Sequence, residues 1–225
     1  MKNVTEISQL LRSLRNRITH ELDASDIDEM GLPSYLDGSW LSRRMAWGKL
    51  DVLITLASFQ PEDVVLDFGC GTGILLALIN KRVKKVFATD INPRMAKLVV
   101  RELGIANVEF LPVEAVPQLP SGEVTKIVAA NVLEHVPDLQ RVITDFGKIM
   151  APTSRLIVSG PTENLLYRFG RWTVGFSGDY HVRGIDDIFA EVGSSEDLVL
   201  QSQRAFPLPG PFCLYRIASF LPSGG

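Results

Sequence analysis

The stretch Val64-Val65-Leu66-Asp67-Phe68-Gly69-Cys70-Gly71-Thr72-Gly73 constrains this chain more than any other. A short apolar run ends in a carboxylate, breaks into glycines at three alternate positions and passes straight into Ile74-Leu75-Leu76-Ala77-Leu78-Ile79. Strand, tight turn and helix in that order open a βα unit. Glycine lets the backbone turn sharply and, lacking a Cβ, lets a ligand lie against the main chain.

The pattern continues beyond this unit. Strand-like runs at Val64–Phe68, Lys85–Thr89, Val108–Leu111, Val124–Ala129 and Arg155–Ser159 alternate with helical segments near 73–82, 93–103, 137–150 and 184–193. Such alternation predicts an α/β fold, a parallel sheet with helices on both faces. Two late strands, Asp197–Ser202 and Phe212–Ala218, flank a reversal marked by Pro207, Pro209, Gly210 and Pro211. Ahead of Pro61, helical spacing is found over residues 4–22 and again from about Ser39 to Phe59. The expected division is an N-terminal helical cap over 1–60 and a ligand-binding domain over 61–225.

Composition narrows the options. A net charge of −3 over 225 residues gives no basic footprint for nucleic acid. The two cysteines, Cys70 and Cys213, form neither a disulfide framework nor a zinc pattern, so no metal is expected. Met1 to His20 lacks the apolar core of a signal peptide, and no apolar stretch is long enough to span a bilayer. The expectation is a cytoplasmic protein.

The glycine loop reads G-x-G-x-G, not the G-x-G-x-x-G of a dinucleotide site, and its strand ends in Asp67. A carboxylate there repels a pyrophosphate and suits a cation. S-adenosylmethionine, with an ammonium, a sulfonium and no phosphate, is such a ligand. Residues Val65 to Gly73 resemble the first motif of the class I S-adenosylmethionine-dependent methyltransferases, and Asn131-Val132-Leu133-Glu134-His135-Val136 resembles a segment of the methyltransferase type 11 group, which includes ubiquinone and menaquinone biosynthesis enzymes. These matches span roughly residues 62–160. The resemblance implies a Rossmann-like, doubly wound, mostly parallel seven-stranded sheet with a C-terminal antiparallel strand, plus N-terminal helices.

A cofactor set follows. Asp67, Gly69, Cys70, Gly71 and Gly73 form the first turn. Asp90 ends the second strand 21 residues after Gly69, the spacing of an acid that accepts ribose hydroxyls, although it is also placed to cap the following helix. Ile91 follows it. Glu114 and Ala115 stand where the resemblance implies an adenine-contacting pair, with Glu in place of the commoner Asp. Asn131 leaves the fourth strand facing the cofactor's methionine part or its methyl group.

Methyl transfer from a sulfonium is an in-line displacement in which the enzyme chiefly aligns donor and acceptor. A hydroxyl acceptor also needs a base, and His181 is the first candidate, His135 the second and His20 a distant third. The segment near 160–183, rich in aromatic and basic residues, is expected to cover the acceptor. The flanks, with Trp40, Trp47, Phe169, Trp172, Phe176 and Phe212, suggest a small, apolar or amphipathic acceptor. Arg12, Arg15, Arg17, Arg43, Arg44, Arg168 and Arg171 would suit an acidic head group or a membrane surface. Two other functions are compatible with parts of the pattern: a non-catalytic S-adenosylmethionine-binding sensor or assembly protein, and an NAD-linked oxidoreductase. Asp67 and the loop spacing count against the second.

Overall fold

A computed structural model describes residues 7–14, 35, 39–162, 164 and 183–223. Residues 7–14 are helical, and their inward side chains Ile7, Leu11 and Leu14 are buried. Helix α1 spans Trp40–Ala57, with the Ser39 hydroxyl accepting from Ser42 N–H at its start and Ser58 in a left-handed conformation at its end. Five parallel strands follow: β1 (Val64–Phe68), β2 (Lys85–Thr89), β3 (Val108–Phe110), β4 (Val124–Ala130) and β5 (Met150–Pro161). Helices α2 (Ile74–Ile79), α3 (Arg94–Glu102) and α4 (Leu139–Ile149) provide crossovers, joined by 3₁₀ turns at Val113–Gln118 and Leu133–His135. Helix α5 (Ile185–Gly193) precedes β6 (Leu198–Pro207) and β7 (Cys213–Pro222).

The sheet order is β3-β2-β1-β4-β5-β7-β6, and β7 runs antiparallel to both β5 and β6. This is the Rossmann-like arrangement the resemblance implies. The order reverses between β1 and its neighbours β2 and β4, which opens a crevice beyond their carboxyl ends.

Alternation along the strands divides the core. Val65, Val86, Val128, Ile157 and Ile217 face the residue 7–14 helix, α1, α2 and α3. Leu66, Phe87, Ile127, Leu156, Ala218 and Phe220 face α4 and α5. With side chains alternating every residue, both faces must be apolar for helices to cover both. Phe68 and Phe146 meet edge to face at 5.1 Å in the second layer. Helix α1 lies against β5, β6 and β7, and Arg155 Nη1 donates to the Leu56 carbonyl at 3.1 Å near its end. It approaches β6 at Gly48, where a Cβ would stand 2.6 Å from Phe206 Cζ.

Several sequence-derived boundaries shift; β7, for one, runs to Pro222 where Ala218 was expected. Strand β5 starts at Met150, five residues before the expected Arg155, and β6 extends to Pro207 where Ser202 was expected. Both extensions are edge-like or ladder-paired stretches of mixed polarity. Partner strands stabilise them there, and no local periodicity marks them.

Candidate functional site

The glycine loop is clamped to the end of β2. Gly69 N–H and Cys70 N–H both donate to the Thr89 carbonyl, at 2.8 and 3.0 Å. The glycines serve different needs. A Cβ on Gly69 would lie 2.4 Å from Val132 Cγ2, and one on Gly73 would lie 2.8 Å from Ala96 Cα, so both are held by close packing. Gly71 has φ +47°, and a Cβ there would meet nothing within 4 Å. Its open face is the one against which a ligand can lie.

Asp67 closes the floor of this turn. It is 2% exposed, and its Oδ2 is buried without a hydrogen-bond partner. Burial, reinforced by the Asp90 carboxylate, pushes its carboxyl up to about 7. An orphaned carboxylate oxygen in this position is matched by a cation that brings its own donors. The Cys70 thiol is buried and pushed well above its ordinary range, first by burial and then by the charges of Asp67 and Asp90. It acts as a small, inert side chain.

Asp90 does not cap α3, whose N-cap is Pro93 without a side-chain bond. Its Oδ2 accepts from Gly71 N–H at 2.8 Å and its Oδ1 from Asn92 N–H at 2.9 Å. Each oxygen keeps a further lone pair, and the carboxylate bridges the strand end to the open glycine. Ile91 beside it is 93% exposed, a bare apolar surface at the crevice rim. Glu114 is exposed and Ala115 half-buried, both on the 3₁₀ turn after β3.

Asn131 leaves β4 with φ +57°, one of two non-glycine residues with positive φ among those described. Its N–H donates to the Ser159 carbonyl at 2.8 Å, tying the ends of β4 and β5 together. Its Oδ1 accepts from Lys49 Nζ at 2.8 Å, with Ser159 Oγ at 3.4 Å. Lys49 comes from α1, is 8% exposed and lies over the Tyr215 ring, 4.5 Å from its centroid. Burial pulls its ammonium down to about 8, against the opposing influence of Glu134, itself buried.

His135 is exposed on the 3₁₀ turn after Asn131. His181 and His20 lie outside the described residues, as do Arg15, Arg17, Arg168, Phe169, Arg171, Trp172 and Phe176. Arg183, at the end of that segment, donates to the Val136 and Pro137 carbonyls at 2.7 and 3.0 Å and approaches Glu191 at 3.5 Å. It anchors the loop that carries His135 to α5. Arg12, Arg43 and Arg44 share a surface groove with Trp40 and Trp47, while Phe212 is an exposed residue on the β6–β7 connection. Among the described residues no group of His, Cys, Asp and Glu could hold a metal ion. No helix there is long and apolar enough to cross a membrane.

The fold therefore brings together Asp67, the glycine loop, Asp90, Ile91 and Asn131, and it adds Lys49, Glu134 and Tyr215. The sequence held one signal for Lys49: a lysine on the buried face of α1, one helical step from Ala46 and Leu53.

A sequence family described as a methyltransferase domain matches residues 39–189. A ubiquinone biosynthesis O-methyltransferase from Acinetobacter baylyi is 30% identical over 105 residues, 44% of this chain and 44% of that protein. An uncharacterized methyltransferase from Mycobacterium tuberculosis is 26% identical over 139 residues, 61% of this chain and 68% of that one. The matched part spans less than half the length of the ubiquinone-biosynthesis relatives. In fold, the chain is similar to the N-methyltransferase NodS from Bradyrhizobium japonicum, crystallised with S-adenosyl-L-homocysteine (TM-score 0.62, 18% identity, 88% of this chain and 98% of that one). It is also similar to a protein from Pyrococcus horikoshii (TM-score 0.65, 16% identity, 85% and 96%).

Proposed function

The chain belongs to the methyltransferase domain family, and on that premise we propose that it transfers the methyl group of S-adenosylmethionine to a small, apolar or amphipathic acceptor. The observation that carries this reading is the buried, orphaned Oδ2 of Asp67 beneath a glycine with an open face. A cationic cofactor satisfies that oxygen, whereas a dinucleotide pyrophosphate would be repelled by it. The groups present fit the cofactor. In this reading Asp67, Gly69, Cys70, Gly71 and Gly73 hold its methionine part, with Asn131 across the crevice. Asp90 takes the ribose hydroxyls with its spare lone pairs. Ile91, Glu114 and Ala115 meet the adenine.

When bound, the cofactor supplies an electrophilic methyl on a sulfonium. The protein's task is to align the acceptor in line with the C–S bond and to keep water out. Residues 1–60 form the acceptor-side cap in this proposal, with His181 as first and His135 as second candidate for the base and a cytoplasmic setting. The O-methyltransferase relatives support an oxygen acceptor.

Calorimetry with S-adenosylmethionine, S-adenosylhomocysteine and NAD tests the cofactor assignment. Both sulfur ligands should bind and NAD should give no measurable heat; tight NAD binding would overturn it. Steady formation of S-adenosylhomocysteine with any acceptor would exclude a mere sensor.

A further inference from the structure

Building on that reading, we propose that Lys49 is the group that receives the acceptor, binding an anionic oxygen of it beside the transferable methyl. Three observations place Lys49 there. Its Nζ bonds to Asn131 Oδ1 at 2.8 Å, and the next residue, Val132, packs against Gly69 of the cofactor turn. Lys49 thus reaches from α1 to the exit of β4, one residue from the packing against the glycine loop. An ammonium has three N–H donors. One is taken by Asn131 and one direction is covered by the Tyr215 ring face. No second hydrogen-bond acceptor for it is found among the described residues.

Its surroundings suit an oxyanion. Tyr215, Phe206 and the Tyr35–Trp47 pair, rings 5.4 Å apart, make aromatic walls around this part of α1. Burial weakens hydration of the ammonium, and the charge that acts on it comes from Glu134. A poorly hydrated lysine binds an anionic oxygen more strongly than an exposed one does. The acceptor class is an acidic O–H: a phenol, an enol or a carboxylic acid. On binding, the O–H proton passes to the base of that reading, His181 or His135. The oxyanion attacks the methyl carbon, the O–C bond forms, and the C–S bond breaks with its electron pair going to sulfur, leaving S-adenosylhomocysteine. Lys49 gives up no proton in this step; it stabilises the oxyanion and orients it.

The test uses the 225-residue chain loaded with S-adenosylhomocysteine and 4-nitrocatechol as the probe, because ionisation shifts the nitrophenol's absorption to longer wavelength. In the wild type the bound probe's apparent pKa should fall by about one to three pH units. Lys49→Arg should keep most of that fall, and Lys49→Gln and Lys49→Met should abolish it while still binding S-adenosylhomocysteine. A residue that merely shores up Asn131 would change cofactor affinity and melting temperature, not the probe's ionisation. No bound probe, a bound probe that ionises as in solution, or an unchanged fall in Lys49→Gln would each overturn the assignment. If Lys49→Met and Lys49→Gln do not fold, a bound probe that ionises in the wild type as it does in solution still overturns the assignment. Failure of the wild type to bind S-adenosylhomocysteine overturns the cofactor reading and this one together; normal binding with an unshifted probe overturns this one alone.

Discussion

Replacing Asp67 by Asn should make the empty protein more stable at alkaline pH and the cofactor complex weaker. Asp67 is 2% exposed, its Oδ2 has no partner, and its carboxyl sits at about 7, against 3.8 for an ordinary one. The folded state therefore holds a proton that the unfolded chain has already lost. Stability from this group is fully present below the unfolded value. It declines as pH rises, and it is gone once pH passes the folded value near 7. The slope in that window is about 1.4 kcal/mol per pH unit. Between pH 5 and pH 8 the decline covers about two of those units, roughly 3 kcal/mol. Asparagine is nearly isosteric and does not titrate, so the gap between variant and wild type should widen by roughly 3 kcal/mol over the same range. Urea unfolding of both proteins at the two pH values measures this, and contributions from other titrating groups cancel in the difference. Saturating S-adenosylhomocysteine, whose ammonium would sit against Asp67, should remove most of the wild-type pH dependence. A gap that does not change with pH would show that Asp67 ionises normally in the fold and would refute the reasoning.

Two further substitutions probe the cofactor turn. Asp90→Ala should weaken cofactor binding at least about tenfold, since two charge-assisted bonds are worth on the order of 1.5–3 kcal/mol each. Calorimetry beside a melting curve checks this, and a lower melting temperature with unchanged affinity would reduce Asp90 to tethering Gly71 and Asn92. Gly71→Val should leave a folded protein, because a Cβ there meets nothing within 4 Å, at a strain cost of roughly 1–2 kcal/mol for φ +47°. It should abolish cofactor binding, and wild-type affinity in this variant would show that no ligand approaches the turn.

Local pattern fixed a good deal of this protein. The run from Val64 to Gly73 specified strand, turn and the start of a helix by itself, because glycine placement and β-branching act within a few residues. The same holds for Asp90, whose position at the end of β2 follows from strand length and spacing. The double-sided sheet was legible because strands buried on both faces, such as Val64–Phe68 and Lys85–Thr89, must be apolar at consecutive positions. Other properties arise only where distant segments meet. Pairing with β4 and β7 extends β5 back to Met150 and β6 on to Pro207. The different duties of the three glycines depend on Val132 and Ala96, which stand 63 and 23 residues away from Gly69 and Gly73. Lys49 is the clearest case. In the sequence it is one lysine on an amphipathic helix, a residue type that ordinarily points to solvent. Its bond to Asn131, 82 residues on, and its place over Tyr215 exist only because α1 packs across β5, β6 and β7. Burial and electrostatic environment are properties of the packed assembly, so the elements could be read one segment at a time, while the charges that surround the crevice could not.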